Sequence, residues 1–211
     1  MRIFTRDDLT RAVVITSTLM DENKFRLIEL DSQIGDADLG LTMSKGFAAA
    51  KTCALELEDD DISTSFKKIG LAIAKAAPST MGSLMATAFI GVGKEIGQKE
   101  YLDFSDVGLM YMSMARSIQE RGKAKEGDKT LLDVLFPVAR AVQSSRSQDI
   151  CELMEIAHKV SKESLERTKN LMSQHGKAAV FREKTIGLED PGGAAAVLLI
   201  EGFYRACIGD E

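Results

Sequence analysis

The sequence has little that would interrupt helices or crosslink the chain. Its 211 residues include no tryptophan, three prolines, three cysteines and two histidines. Few prolines leave long helices uninterrupted, and the abundant alanine, leucine, methionine, lysine and glutamate favour helix. Cys53, Cys151 and Cys207 lie too far apart for a zinc site and are odd in number, which indicates a reducing compartment. We therefore expect an all-α protein of the cytoplasm.

Further absences argue against a nucleic-acid-binding, a secreted and a membrane-spanning protein. The net charge is −5 and no basic stripe offsets it, which argues against a nucleic-acid partner. The first eight residues contain no apolar region of the kind that a secretory signal peptide needs. Residues 76–93 carry no charge, but Pro78, three glycines and several hydroxyl residues make them a poor bilayer span, so we predict a buried helix and no membrane contact.

With 45% apolar residues, the chain can fill one core, and we predict a single domain over residues 1–211.

Apolar periodicity predicts eight or nine amphipathic helices joined by short connectors. Thr5 and Asp8 form a capping-box-like start for the first helix, Asp21 is expected to cap the second, Asp128 the seventh and Asp190, with Pro191, the last. Residues 175–190 show no clear period, and the acidic run 56–61 is interpreted as a solvated connector. The expected helices cover about 5–20, 41–57, 62–77, 79–97, 106–121, 148–173 and 190–209. The second is expected to begin at Asp21 and to carry Asp31 towards its end, and the seventh begins at Asp128 and includes Val142 on its apolar stripe.

The most informative stretch runs from Leu30 to Gly40 and holds Asp31, Asp36 and Asp38 within eight residues. In a loop broken by glycines, these three carboxylates can converge on one point. Two such charges ~4 Å apart repel by about 4 kcal/mol near a protein surface, which a hard cation such as Mg²⁺ would relieve. A solvated acidic turn explains the stretch equally well. An EF-hand is rejected because the position that needs glutamate is Phe47.

Three predicted helix starts could bind anions through their free backbone amides: residues 79–82, 127–130 and 190–193. An ordinary structural cap is the better interpretation of the first two, and the two interpretations are even for the third. His158 lies beside an apolar helix face and is interpreted as structural. Neither His158 nor His175 lies in a ligand spacing, and no nucleophile–histidine set is proposed.

In this order, the segments resemble the nucleotide-binding L subunit of bacterial dihydroxyacetone kinases and the equivalent domain of single-chain ATP-dependent kinases. The resemblance covers residues 5–208. The segments that carry it are Leu30-Asp31, Ile34-Gly35-Asp36-Ala37-Asp38 with Gly40, Gly122-Lys123-Ala124, Gly127-Asp128-Lys129-Thr130, Ile186-Gly187 and Asp190-Pro191-Gly192.

The resemblance implies a barrel of eight antiparallel amphipathic helices that holds ADP or ATP at one end. Asp31, Asp36 and Asp38 would bind two Mg²⁺ ions, which in turn hold the phosphates. No catalytic residue beyond this metal site is implied. The nucleotide-binding residues would be Gly40, Thr42, Thr80, Met81, Gly82, Gly122, Leu131, Lys177, Asp190 and Gly192.

The same resemblance implies partners. A K-type subunit would hold dihydroxyacetone or a related ketose on a histidine and receive the phosphoryl group, and a phosphohistidine subunit of the phosphotransferase system would recharge the bound ADP. A transcription regulator and a second copy of the chain are further partners that the sequence leaves open. It also leaves open which ketose is used and whether free ATP is the donor.

The chain departs from the family at several positions. Leu39 stands where histidine is usual, Met81 replaces a loop serine, Thr42 replaces asparagine, and Lys177 replaces arginine. Leu188-Glu189 also lacks the histidine usual before the Asp-Pro-Gly turn. Each lost polar contact is typically worth about 0.5–1.5 kcal/mol, so we expect nucleotide binding to survive in weakened form. The alternative is a nucleotide-binding regulatory module without efficient turnover.

Overall fold

A computed structural model describes residues 2–58 and 61–209. In these residues, nine α-helices and one 3-10 helix account for nearly all of the regular structure, and two short strands, β1 (Phe4–Thr5) and β2 (Tyr101–Leu102), pair antiparallel. The all-α prediction is confirmed. The helices are α1 (Arg6–Glu22), α2 (Lys24–Ile34), α3 (Leu39–Leu55), α4 (Ile62–Ala76), α5 (Thr80–Glu95), α6 (Phe104–Gly122), α7 (Leu132–Ser144), α8 (Ile150–Thr168) and α9 (Pro191–Ile208), with the 3-10 helix at Lys177–Thr185.

Eight of the helices form a closed ring. Helices α3 to α9 each pack on the next in chain order, and α1 packs on both α9 and α3 to close the circle. The short helix α2 lies outside this ring and contacts mainly α3. Helix periodicity therefore leads here to a barrel, because each amphipathic helix buries its apolar face against two neighbours and the shared interior.

The interior is filled by interlocking aromatic and aliphatic side chains. Five buried phenylalanines form a continuous series from β1 to α3, with ring centroids 5.9–6.4 Å apart. The series follows the order Phe4, Phe203, Phe66, Phe89 and Phe47. Helix α6 also buries an apolar stripe at helical spacing, made of Val107, Tyr111, Met114 and Ile118.

Six of the nine described α-helices have a side-chain cap at their start, and two predicted caps were wrong. The capping box of Thr5 and Asp8 and the Asp190 cap of α9 are confirmed. Asp21, however, lies inside α1, which continues to Glu22, and Asn23 stands at the boundary with α2. Asp128 closes the turn that begins at Lys125 and does not cap α7: its carboxylate accepts from the Lys125 amide at 2.8 Å, and α7 begins four residues later.

Two connectors differ from expectation. Helix α8 ends at Thr168 rather than near residue 173, so the irregular segment before α9 is longer than predicted. In the acidic run, Asp61 caps α4 through the Thr64 amide, while residues 59 and 60 lie outside the described part of the chain. Within the described residues, no helix is long and apolar enough to cross a bilayer, and this includes α5, which holds most of the uncharged stretch 76–93.

Candidate functional site

The three sequence-predicted aspartates converge. One carboxylate oxygen from each of Asp31, Asp36 and Asp38 lies within 4.8 Å of the other two. Asp31 belongs to the last turn of α2 and is half-buried, whereas the other two side chains are exposed in the loop that leads into α3. We call these three residues the acidic cluster. Oxygen donors at this spacing form a set that a hard divalent cation can bind.

Backbone geometry explains why the loop closes on Asp31. A Cβ at Gly35 would lie 2.1 Å from Asp31 Oδ1, so the carboxylate can occupy its position only beside glycine. Ala37 adopts a left-handed conformation with φ of 60°, which turns the chain back. Asp31 Oδ2 then accepts from the amides of Asp38 (3.0 Å) and Leu39 (3.2 Å). One oxygen of Asp31 is thus committed to holding the loop.

A cationic side chain reaches the acidic cluster from a distant segment. Lys177, the first residue of the 3-10 helix, pairs its ammonium group with Asp36 Oδ2. Both groups are well exposed, so the pair is worth little to stability. The ion pair matters because it places Lys177, which the family resemblance implies as a nucleotide-binding residue, next to the acidic cluster.

The acidic cluster lies at a cavity of about 440 Å³ at one end of the ring. The starts of α3, α5, α7 and α9 and the end of α6 line this cavity. Since α6 ends where α5 and α7 begin, these neighbouring helices run antiparallel. The cavity wall includes ten of the predicted site residues: Asp31, Asp36, Asp38, Thr80, Met81, Gly122, Leu131, Lys177, Asp190 and Gly192.

Three predicted binding residues do not line this cavity. Gly40 packs against α2, where a Cβ would lie 2.1 Å from the Lys24 carbonyl, and Gly82 packs equally close to the Ala77 carbonyl. Both glycines allow close backbone approach. Thr42 is half-buried in the first turn of α3, its amide bonded to the Asp38 carbonyl.

Asp190 is the most perturbed carboxyl group of the site. Burial raises its pKa to about 7; nearby Asp133 and Asp31 also raise the pKa, while the Gly193 amide and Lys129 oppose them. Asp190 Oδ2 accepts from the Gly193 amide at 2.5 Å and so caps α9. Its neighbour Gly192 lets Met81 lie against this helix start, because a Cβ there would be 2.8 Å from Met81 Cε.

Sequence reasoning missed Lys129, which lines the cavity but is only 2% exposed. Its ammonium group donates to the carbonyls of Leu171 (3.1 Å), Leu188 (2.7 Å) and Thr185. Burial lowers its pKa, and Asp190 opposes that effect. Lys129 belongs to the predicted helix start at residues 127–130, and nothing in the local sequence pattern indicates that its side chain is buried.

His175 was also given no role, yet it lines the cavity and places Nε2 3.0 Å from Asp128 Oδ2. His158 is different. It stacks on Tyr204 with centroids 4.8 Å apart, away from the cavity, as the structural interpretation expected.

The site combines three kinds of electrostatic feature around one cavity. The acidic cluster attracts cations, the starts of α5 and α9 attract anions, and Lys177 places a positive charge beside Asp36. Met81, Leu84, Ile118 and Leu131 supply an apolar wall. A ligand with an anionic end, an accompanying divalent cation and a flat apolar part fits this distribution.

Comparisons with known proteins agree with the resemblance. The DAK2 domain family matches residues 33–205. The chain is 31% identical over 187 residues to the ADP-binding subunit DhaL of the PEP-dependent dihydroxyacetone kinase 1 of Listeria innocua, covering 88% of this chain and 89% of that one. It is 30% identical over 195 residues to the corresponding ADP-binding subunit DhaL of Escherichia coli, covering 92% of this chain and 91% of that one.

The fold is shared with a larger kinase of known structure. The dihydroxyacetone kinase from C. freundii, solved in complex with AMP-PNP and Mg²⁺, superposes with a TM-score of 0.72 at 20% identity. The superposition covers 93% of this chain and 33% of that one. From the extent of the family match and the identity to the two bacterial subunits, this chain belongs to the DAK2 domain family.

Proposed function

We propose that the chain is the ADP/ATP-binding subunit of a kinase for dihydroxyacetone or a related small ketose. One observation carries the proposal: three aspartates converge within 4.8 Å at the wall of a cavity that the starts of α5 and α9 also line. Support comes from the two ADP-binding subunits, which the chain matches over about nine-tenths of their length.

The residues present fit a divalent cation. All three side chains offer hard carboxylate oxygens, and backbone amides already orient Asp31. The Lys177 ammonium group beside Asp36 shows that a positive charge is accepted at this position. We infer that Asp31, Asp36 and Asp38 hold two Mg²⁺ ions. When bound, these would neutralise phosphate charge and align the nucleotide's terminal phosphates.

The remaining residues bind and orient. The first turns of α5 and α9 direct their amide ends towards the cavity, which favours phosphate oxygens over neutral groups. Lys177 adds an exposed positive charge at the same edge. Met81 and Leu131 would contact the apolar face of the base and exclude water from it. This division suits phosphoryl transfer, in which positioning and charge neutralisation supply most of the catalysis.

We further propose that the phosphoryl acceptor lies on a separate K-type subunit and that a phosphohistidine subunit recharges the nucleotide. Both relatives are described as ADP-binding subunits of PEP-dependent kinases, and this chain has nearly their full extent. The open cavity wall at the acidic cluster would then face the partner.

A regulatory nucleotide-binding module is the second candidate. The observation that favours it is the pair Leu39 and Met81, two apolar side chains that line the cavity where the family commonly supplies polar donors. Fewer donors towards the phosphates lower turnover before they abolish binding.

Calorimetry with ADP tests the binding function. Wild-type protein should bind ADP in the presence of Mg²⁺ and at least tenfold more weakly in EDTA, and Asp36→Asn should lose the Mg²⁺-dependent gain. Glu163→Gln, an exposed substitution on α8 outside the cavity, is the matched control. The proposal would be overturned if the ADP affinity is the same with and without Mg²⁺ and is unchanged in Asp36→Asn.

Reconstitution separates the two candidates. The protein is mixed with a K-type subunit, a phosphohistidine donor and dihydroxyacetone, and ketose phosphate is measured. Turnover that requires this chain supports the kinase subunit. Tight Mg²⁺–ADP binding without turnover, across several ketoses and with ATP as the donor, supports the regulatory module.

A further inference from the structure

The segment from Leu171 to Leu188, here named the 171–188 loop, covers one side of the cavity without an apolar anchor. It contributes His175, Gly176, Lys177 and Ala178 to the cavity wall. Of its eighteen residues, only Ser173 and Thr185 are buried. Val180 is 82% exposed, so hydrophobic burial does not hold the loop in place.

Polar contacts from the α6–α7 connector hold both ends of the loop. The Lys129 ammonium group has three donor hydrogens and three carbonyl partners, one at the start of the loop, Leu171, and two at its end, Thr185 and Leu188. At 2% exposure, Lys129 leaves little access for water to replace these bonds. One side chain therefore fixes the distance between the two ends of the loop.

The preceding residue, Asp128, adds two contacts at the first end. Its carbonyl accepts from the Gln174 amide at 3.0 Å, and its carboxylate lies 3.0 Å from His175 Nε2. Thr185 bonds across the loop, accepting from the Ser173 amide at 2.9 Å. The contacts of Lys129 and Asp128 thus frame the stretch that carries Lys177 to the acidic cluster.

We propose that Lys129 is a positioning residue that anchors the 171–188 loop and thereby holds Lys177 at the acidic cluster. The nucleotide-affinity part of this inference rests on the proposed function; the anchoring part does not. A lysine suits the task because its flexible stem reaches from one connector to carbonyls on both ends of another.

Hydrogen exchange on the ligand-free protein tests the anchor independently of any nucleotide. In Lys129→Met, which keeps the length of the side chain and removes its donors, the amides of Ser173, Gln174 and Gly187 should exchange at least tenfold faster. Amides within α4 should keep their wild-type rates. Lys125→Met, at an exposed lysine of the same connector, should change neither set. Unchanged exchange in the loop of a folded Lys129→Met protein would overturn the proposal.

Wild-type protein provides a second measurement should Lys129→Met fail to fold. Reductive methylation followed by peptide mapping should modify Lys125 readily and leave Lys129 unmodified until the protein unfolds. Modification of both lysines at equal rates in the folded protein would overturn the anchor.

A double-mutant cycle tests whether Lys129 acts through Lys177. We expect Lys129→Met and Lys177→Met each to weaken Mg²⁺–ADP binding at least threefold, and the double variant to lose less than the product of the two changes. Losses that multiply fully would show independent action and refute the positioning role. If wild-type protein binds no Mg²⁺–ADP, the proposed function fails, and the exchange experiment alone decides the anchor.

Discussion

Replacing Asp38 with asparagine should change stability and ligand affinity in opposite directions. The acidic cluster brings one carboxylate oxygen from each of three aspartates within 4.8 Å of the other two. At that separation, one like-charge pair costs about 0.9 kcal/mol in a water-like dielectric and about 3.5 kcal/mol at an effective dielectric of 20. Because Asp38 is exposed and Lys177 already partners Asp36, the lower figure applies.

The asparagine substitution removes charge and little else. Asp38 occupies the position before α3 but makes no side-chain capping bond, and its contact to Asp31 comes from its backbone amide. We therefore expect Asp38→Asn to raise the free energy of unfolding of the ligand-free protein by about 1 kcal/mol. For a chain of this size, that corresponds to a rise in Tm of roughly 2–4 °C.

Urea denaturation in EDTA measures the stability change, and calorimetry with ADP and Mg²⁺ measures affinity on the same samples. The stability gain should shrink in high salt because the charges are exposed, while Mg²⁺–ADP affinity should fall at least tenfold. A variant less stable than wild type in EDTA would show that the carboxylate serves the fold. A variant that binds Mg²⁺–ADP normally would show that the acidic cluster does not hold the metal.

Two further substitutions test the carboxylates around the cavity. Asp190 has a folded-state pKa of about 7, above the ordinary 3.8, so the folded protein binds more protons than the unfolded chain between these values, and stability should fall as pH rises from about 4 to 7. Asp190→Asn keeps a capping side chain and should flatten that slope in urea titrations of ligand-free protein; an unchanged slope would assign the dependence elsewhere. Gly35→Ala should displace the Asp31 carboxylate and weaken Mg²⁺–ADP binding at least tenfold, with a stability cost of about 1–3 kcal/mol. Wild-type affinity in calorimetry of that variant would contradict the close-approach argument.

The fold was largely predictable because its signals are local. The stripe of Val107, Tyr111, Met114 and Ile118 repeats at helical spacing, and all four side chains are buried. The boundaries were less predictable, because an aspartate near a helix start can bond either to that helix or to the turn before it. Asp128 bonds to the turn, and Asp21 accepts from Ser44 on α3, contacts that no local pattern distinguishes from a cap.

In the candidate site, too, the residues that are close in sequence were predictable and those that come from distant segments were not. The acidic cluster lies within eight consecutive residues, so loop chemistry alone suggested that its members meet. Lys177 is 141 positions from its partner Asp36 and entered only through the family resemblance. Lys129 contacts carbonyls 42, 56 and 59 positions away. A buried lysine that bonds to distant backbone leaves no mark in composition or periodicity.

The acidic cluster and the 171–188 loop contribute to the stability of the folded protein with opposite sign. The ring is held by apolar packing between neighbouring helices, which does not involve the acidic cluster. The acidic cluster adds repulsion that the folded protein tolerates, whereas the 171–188 loop is held by polar bonds from Lys129 and Asp128. If no cation binds there, the chain would gain stability from losing Asp38, the exposed aspartate that Lys177 does not pair with. We propose that a bound cation and an anionic ligand account for the three aspartates and for the loop that brings a lysine to them.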